Sequence, residues 1–248
     1  MEMRSSLITL AIMVVLWEIS ARAGAAFLPS LAEIGAAYGD LLERGVLRES
    51  FLHSFRLLCM GFLLAVITGI LIGVGMGLSR HMERMLNLYV NLFLVTPLTA
   101  LVPVFVVLFG TGSTTILVTI FIFSFFPIVI NVYTGVKYAN AALQEMCRSF
   151  GGTRLQVIRK IILPCSLPLA IAGIRVGATR AIKGMVIGEM LVTIVGMGSL
   201  VKRYGGGFNL SYLYAVIVTL VVFSLLVNFV IRVLESRVTR QFSVEGMK

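Results

Sequence analysis

Few residues in this chain have side chains that could do chemistry, and most of those stand apart. His53 and His81 fall at the borders of apolar stretches, and neither lies beside a plausible nucleophile. Cys59, Cys147 and Cys165 are far apart, without metal or redox spacing. An odd, scattered set makes no disulfide framework or zinc site, so they read as small packing residues. No Gly-Lys dipeptide occurs, so there is no phosphate-cradling loop of the G-x-x-x-x-G-K-[ST] type. The expectation is a chain that is not catalytic, binds no metal or cofactor, and does not hydrolyse ATP by itself. What remains is charge in an apolar setting. Arg175, Arg180, Lys183 and Glu189 all fall in one apolar stretch. A cation at mid-bilayer costs about 2.5–3.5 kcal/mol on insertion scales, so such residues face a bundle interior or an aqueous cavity. Arg180 and Lys183 are three apart, hence on one helix face. They could attract an anion along a path, pair with Glu189 or Glu18, or snorkel to an interface.

The apolar setting is plain from composition. Of 248 residues 58% are apolar and 13% charged, with mean hydropathy +1.01. A soluble domain is about half apolar and about a quarter charged, so disorder and an ordinary soluble enzyme are excluded. The chain reads as a single all-α domain over 1–248, a polytopic membrane protein. Lys and Arg number 21 against 11 Asp and Glu, a net +10. In a soluble protein that would suggest nucleic acid; here basic cytoplasmic loops explain it, and the partner is a lipid bilayer, not nucleic acid.

Hydropathy places spans at about 7–26, 55–78, 86–109, 115–136, 171–195 and 212–231. The start imitates a secretory signal, with Ala21-Arg22-Ala23 as a mock cleavage site, but Glu18 interrupts it and it reads as a first span. The charged, partly amphipathic segment 29–54 is placed on a membrane surface, and 202–207 in a flexible loop ending Gly205-Gly206-Gly207. Pro97 and Pro103 in the third span and Pro127 in the fourth suggest either a lined pathway or ordinary kinks. Thr96, Pro97, Thr99 and Asn131 are its other candidate lining residues, although buried hydroxyls commonly bond their own helix. Six spans put both termini on one side. Twelve Lys and Arg fall on that side and six on the other, which makes the termini cytoplasmic. In the second span Gly61, Ala65, Gly69, Gly73 and Gly77 recur every four residues. Such a stripe lets two helices approach closely, either within the chain or between subunits.

The longest cytoplasmic connection is 137–164. Asn140 caps a helix with Leu143, Met146 and Phe150 on one face. Gly151-Gly152 breaks it, and Thr153-Arg154-Leu155-Gln156 has capping-box spacing for a second helix, which Leu163-Pro164 ends. Such a hairpin could lie in the lipid interface or dock on a cytoplasmic partner.

These residues resemble a family. Glu145-Met146-Cys147, then Gly151, then Ile161-x-Leu163-Pro164 is similar to the EAA loop of ABC-importer permeases, with Met146-Cys147 replacing two alanines. Leu101-Val102-Pro103-Val104-Phe105, Phe109-Gly110-x-Gly112, Phe126 to Asn131, Gly188-Glu189-Met190-Leu191, Trp17-Glu18 and Gly196-x-Gly198 resemble the nitrate/sulfonate/taurine branch. The resemblance covers essentially the whole chain. It implies a type I permease of the bacterial inner membrane, paired with a second copy or a paralogue. It implies two ATP-binding subunits that hold ATP and Mg, and an extracytoplasmic binding protein that delivers substrate. The helix carrying Glu145, Arg148 and Phe150 would sit in a groove of the ATPase, Gly151 would allow the turn, and Leu163-Pro164 would lead into the fifth span. A pair of subunits would present four cations from Arg180 and Lys183, which favours an anionic nutrient. An ion-coupled carrier working alone would instead predict inverted repeats, and none is visible. An intramembrane enzyme would need a catalytic set that the two histidines do not supply.

Overall fold

Most helix ends follow local sequence signals. The computed structural model describes residues 2–23, 27–192 and 194–243, and their regular structure is entirely helical. After α1 (Glu2–Arg22), a Ser30–Glu33 capping box opens α2 (Leu31–Glu43). Gly45, at φ +71°, turns the chain into α3 (Val46–Leu78). Ser79 caps α4 (Arg80–Val95); a 3-10 turn, Leu98–Leu101, leads into α5 (Val102–Phe109), and α6 (Ser113–Lys137) follows. Asn140 caps α7 (Ala141–Ser149), and a Thr153–Gln156 capping box opens α8 (Arg154–Val157). A π-helical turn, Ile158–Ile162, then joins α8 to α9 (Leu163–Val192), which is followed by α10 (Met197–Gly206) and α11 (Leu210–Ser243).

The missing side chains of α3 determine where the core lies. A Cβ on Gly69 would meet Ile128 Cγ2 of α6 at 2.9 Å, and one on Gly61 would meet Ile120 Cγ2 at 2.8 Å. One on Gly77 would collide with Val136. The stripe therefore faces α6 of the same chain. On the other flank of α6, Gly173, Gly177 and Gly184 of α9 approach Asn131, Ile128 and Phe123 equally closely. Backbones at this spacing maximise dispersion contact where lipid offers no hydrophobic drive for helix association. Phe223 of α11 joins Leu57, Ile120, Ala181 and Met185 in a buried cluster, closing the bundle.

Four described helices are long and apolar enough to span a bilayer: Val46–Leu78, Ser113–Lys137, Arg154–Val192 and Leu210–Val233. α1 coincides with the first expected span but is not among these four, and residues 24–26 of that span lie outside the described residues. The third expected span, 86–109, is not one helix. Its halves, Arg80–Val95 and Leu98–Phe109, meet at 96°. Pro97 has no N–H to donate and forces the preceding Thr96 into an extended conformation, ψ 135°.

Three further expectations are corrected. Leu163-Pro164 begins α9 and ends no helix, because the Leu163 N–H reaches back five residues to Ile158. That wide turn accommodates the proline without breaking the axis. Gly205 and Gly206 are helical, because Met197 and Leu200 anchor α10 in a buried cluster with Leu41 and Val216. Finally, Cys147 packs inward, whereas Cys59 and Cys165 are exposed.

Candidate functional site

The loop between α6 and α9 is built as a small rigid knob. α7 ends in a Schellman motif: Gly151 N–H donates to Arg148 O at 2.9 Å and Gly152 N–H to Cys147 O at 2.9 Å. Gly151 sits at φ +77°, which L side chains rarely adopt, and a Cβ on Gly152 would strike Cys147 Sγ at 2.5 Å. Cys147 and Gln144 turn toward the bundle. Cys147 packs on a cluster containing Val136, Val157 and Ile162, and Gln144 Nε2 donates to Ala139 O at 3.0 Å. Leu143, Met146 and Phe150, the last 85% exposed, stay on the surface beside them, with Glu145 and Arg148 also open. Of the two departures from the EAA pattern, Met146 therefore alters the outward face and Cys147 the inward anchor.

The base of the knob is braced. Tyr133 Oη donates to Glu83 Oε1 at 2.8 Å, and the Lys137 ammonium bonds both Glu83 and Tyr133. This ties the start of α4 to the end of α6. Between knob and span ends lies a polar cavity of about 180 Å3, lined by Lys137, Gln144, Arg148 and Arg154 among others. Glu83 and Lys137 are 54 residues apart, and no local pattern links them.

α9 is covered on three sides. Its glycines face α6, Met185 shares a cluster with Leu57 and Leu58 of α3, and Arg175 and Thr179 bond Glu235 and Asn228 of α11. The fourth side is an open strip on which Leu169, Val176, Lys183 and Leu191 are exposed and Arg180 is half-buried. Glu18 is engaged with Arg22 and the Leu31 N–H, and Glu189 accepts from the Gly198 N–H at 2.8 Å. Among the described residues neither Arg180 nor Lys183 has a hydrogen bond or ion pair. The other pathway candidates lie elsewhere. Thr96 Oγ1 donates to Leu92 O and Asn131 Nδ2 to Pro127 O, each serving its own helix, and Pro97 is exposed at the α4–α5 bend.

Residues 65–240 match the family described as binding-protein-dependent transport system inner membrane component. The chain belongs to that family. It is an ABC-importer permease: a multi-pass inner-membrane subunit, with the ATPase on a separate chain. Members of the family work with ATP-binding subunits and a substrate-binding protein. A formylaminopyrimidine transport permease protein of Halalkalibacterium halodurans is 29% identical over 90% of this chain and 90% of its own length. A Bacillus subtilis permease protein named for aliphatic sulfonates transport is 27% identical over 95% and 87%. The MetNI methionine ABC transporter in an inward-facing conformation shares the fold. Its matching chain has a TM-score of 0.69 at 20% identity, over 79% of this permease and 97% of that chain. The names of the two relatives differ in substrate, so family membership leaves the nutrient of this permease open.

Proposed function

We propose that this permease carries a small anionic nutrient of the nitrate, sulfonate or taurine kind, as one half of a paired membrane unit. The second half is another copy of the chain or a paralogue. Two ATP-binding subunits, holding ATP and Mg, grip α7 through Leu143, Met146 and Phe150, with Glu145 and Arg148 beside them. The observation that carries the docking role is the outward apolar face on a helix whose inner face is already held by its own bundle. α1 is the first of six spans, and both termini are cytoplasmic, on the side of the knob. Closure of the ATPases pushes α7, and the α8–α9 continuity transmits the push, biasing the spans between inward-open and outward-open states. Copurification tests the docking. The native chain should bring an ATP-binding subunit with it, and Gly151→Pro should lose it, because proline cannot take φ +77° and removes the N–H donated to Arg148. Recovery of the ATPase with both would move the contact away from α7.

Support for an anion comes from Arg180 and Lys183 on the open strip of α9. Two copies facing each other there would present four cations to the path. Arg180→Leu and Lys183→Leu should each depress uptake of an anionic substrate several-fold with normal expression. Uptake unchanged in both variants, or a neutral substrate equally affected, would discard the anionic reading.

A further inference from the structure

Two adjoining hollows run along the seam between α9 and α11, sharing Leu225 and Asn228. The first, about 380 Å3, is edged by Arg175, Asn228 and Arg232. The second, about 410 Å3, is lined mainly by apolar groups, among them Ile182, Val186, Ile217 and Val221, with Lys183 bordering it. Their levels in the bilayer follow from the contacts across the seam. Arg175 Nη1 donates to Glu235 Oε2 at 2.7 Å, and Thr179 Oγ1 to Asn228 Oδ1 at 3.3 Å. The apolar run of α11 gives way to charge at Arg232 and Glu235, so Arg232 and the Arg175–Glu235 pair mark the membrane rim nearest the α7–α8 knob. From that rim the apolar hollow leads into the bilayer.

We propose that this seam binds one anionic phospholipid of the leaflet on the α7–α8 side. Its phosphate rests on Arg175 and Arg232, and one acyl chain lies along the groove between α9 and α11. Charge fits the head: two guanidinium groups against the single carboxylate of Glu235 leave one net positive charge at the rim. Basic hollows between spans at this depth suit anionic headgroups. Shape fits the tail: from Leu225 to Ile217 the groove rises about 12 Å along α11, close to the ~15 Å of hydrocarbon in one leaflet. A free phosphate would leave the apolar hollow unfilled, and a zwitterionic lipid brings no net charge to the arginines. The lipid would bridge α9, the helix continuous with the knob, to α11. The site rests on the membrane-spanning assignment and not on the substrate reading, so uptake and copurification results leave it untouched.

Native mass spectrometry of the purified, delipidated importer tests it, titrating phosphatidylglycerol against phosphatidylcholine of the same chains. One phosphatidylglycerol per permease should bind preferentially. Arg232→Gln should weaken it about fivefold, the effect of one cation at a membrane surface. Val221→Trp fills the groove at a half-exposed position without changing charge, and should also weaken binding. Arg44→Gln, on α2 beside Asp40, should not. Equal binding of both lipids, or phosphatidylglycerol binding indifferent to both seam variants, would overturn the proposal. Competition by glycerol phosphate as strong as by the lipid would make it a free-phosphate site. Cross-linking of Val221→Cys between two copies would show that protein covers the groove.

Discussion

Gly73→Leu is expected to abolish accumulation of folded permease, while Gly35→Leu leaves it at the native level. A Cβ at Gly73 would stand 2.7 Å from Val132 Cβ and 2.9 Å from Val129 O, and the second of these is backbone that no rotamer change can move. Around Gly35 nothing lies within 4 Å, and leucine is the better helix former there. Overpacking a close seam costs about 1–3 kcal/mol and sometimes more. In a bilayer that cost falls on the term holding α3 to α6, because lipid tails compete with side chains on equal terms. The readouts are the yield of membrane-inserted protein and the midpoint of thermal aggregation in detergent. A Gly73→Leu chain that is stable but fails to pair with a second copy would mean that the stripe serves a subunit interface instead.

The second large effect is expected at Glu189. This side chain is fully buried on α9, and its Oε2 accepts from the Gly198 N–H at 2.8 Å, in the first turn of α10. Next to it, the Met197 N–H donates to Ser54 Oγ of α3 at 2.8 Å, so α3 and α9 together satisfy the N-terminus of α10. The fit is close: a Cβ on Gly196 would lie 2.6 Å from the Glu189 carboxyl carbon. Glu189→Ala leaves the Gly198 N–H without its acceptor, which should cost about 1–3 kcal/mol and loosen α10 from the bundle. Trypsin cleavage at Lys202 or Arg203, which requires α10 to open, should quicken. Glu189→Gln keeps an acceptor and should retain most of the protection. Native-like resistance of Glu189→Ala would remove the carboxylate from this role.

The glycines and Glu189 also mark the limit of what could be read without coordinates. A period of four small residues announces close approach, but not to which helix. α6 is the partner only because Ile120, Ile128, Val132 and Val136 recur at the same intervals, each 59 residues after its glycine. Glu189 reads as a pairing partner for the cations of its own span, yet it caps a neighbouring helix.

The amino-acid sequence alone determined the membrane class, the helix starts at Asn140 and Thr153, the turn at Gly151 and the family of the coupling loop. All of these depend on composition or on contacts within a few residues along the chain, where spacing dictates geometry. Tertiary structure alone decided that α8 runs through a π turn into α9 and that α7 shows Phe150 outward while Cys147 anchors it. It also decided that Arg175 pairs with Glu235 while Arg180 and Lys183 stay on the open strip. Those outcomes depend on which helix covers which face, and residues 50 or 60 positions apart carry no local signal of meeting.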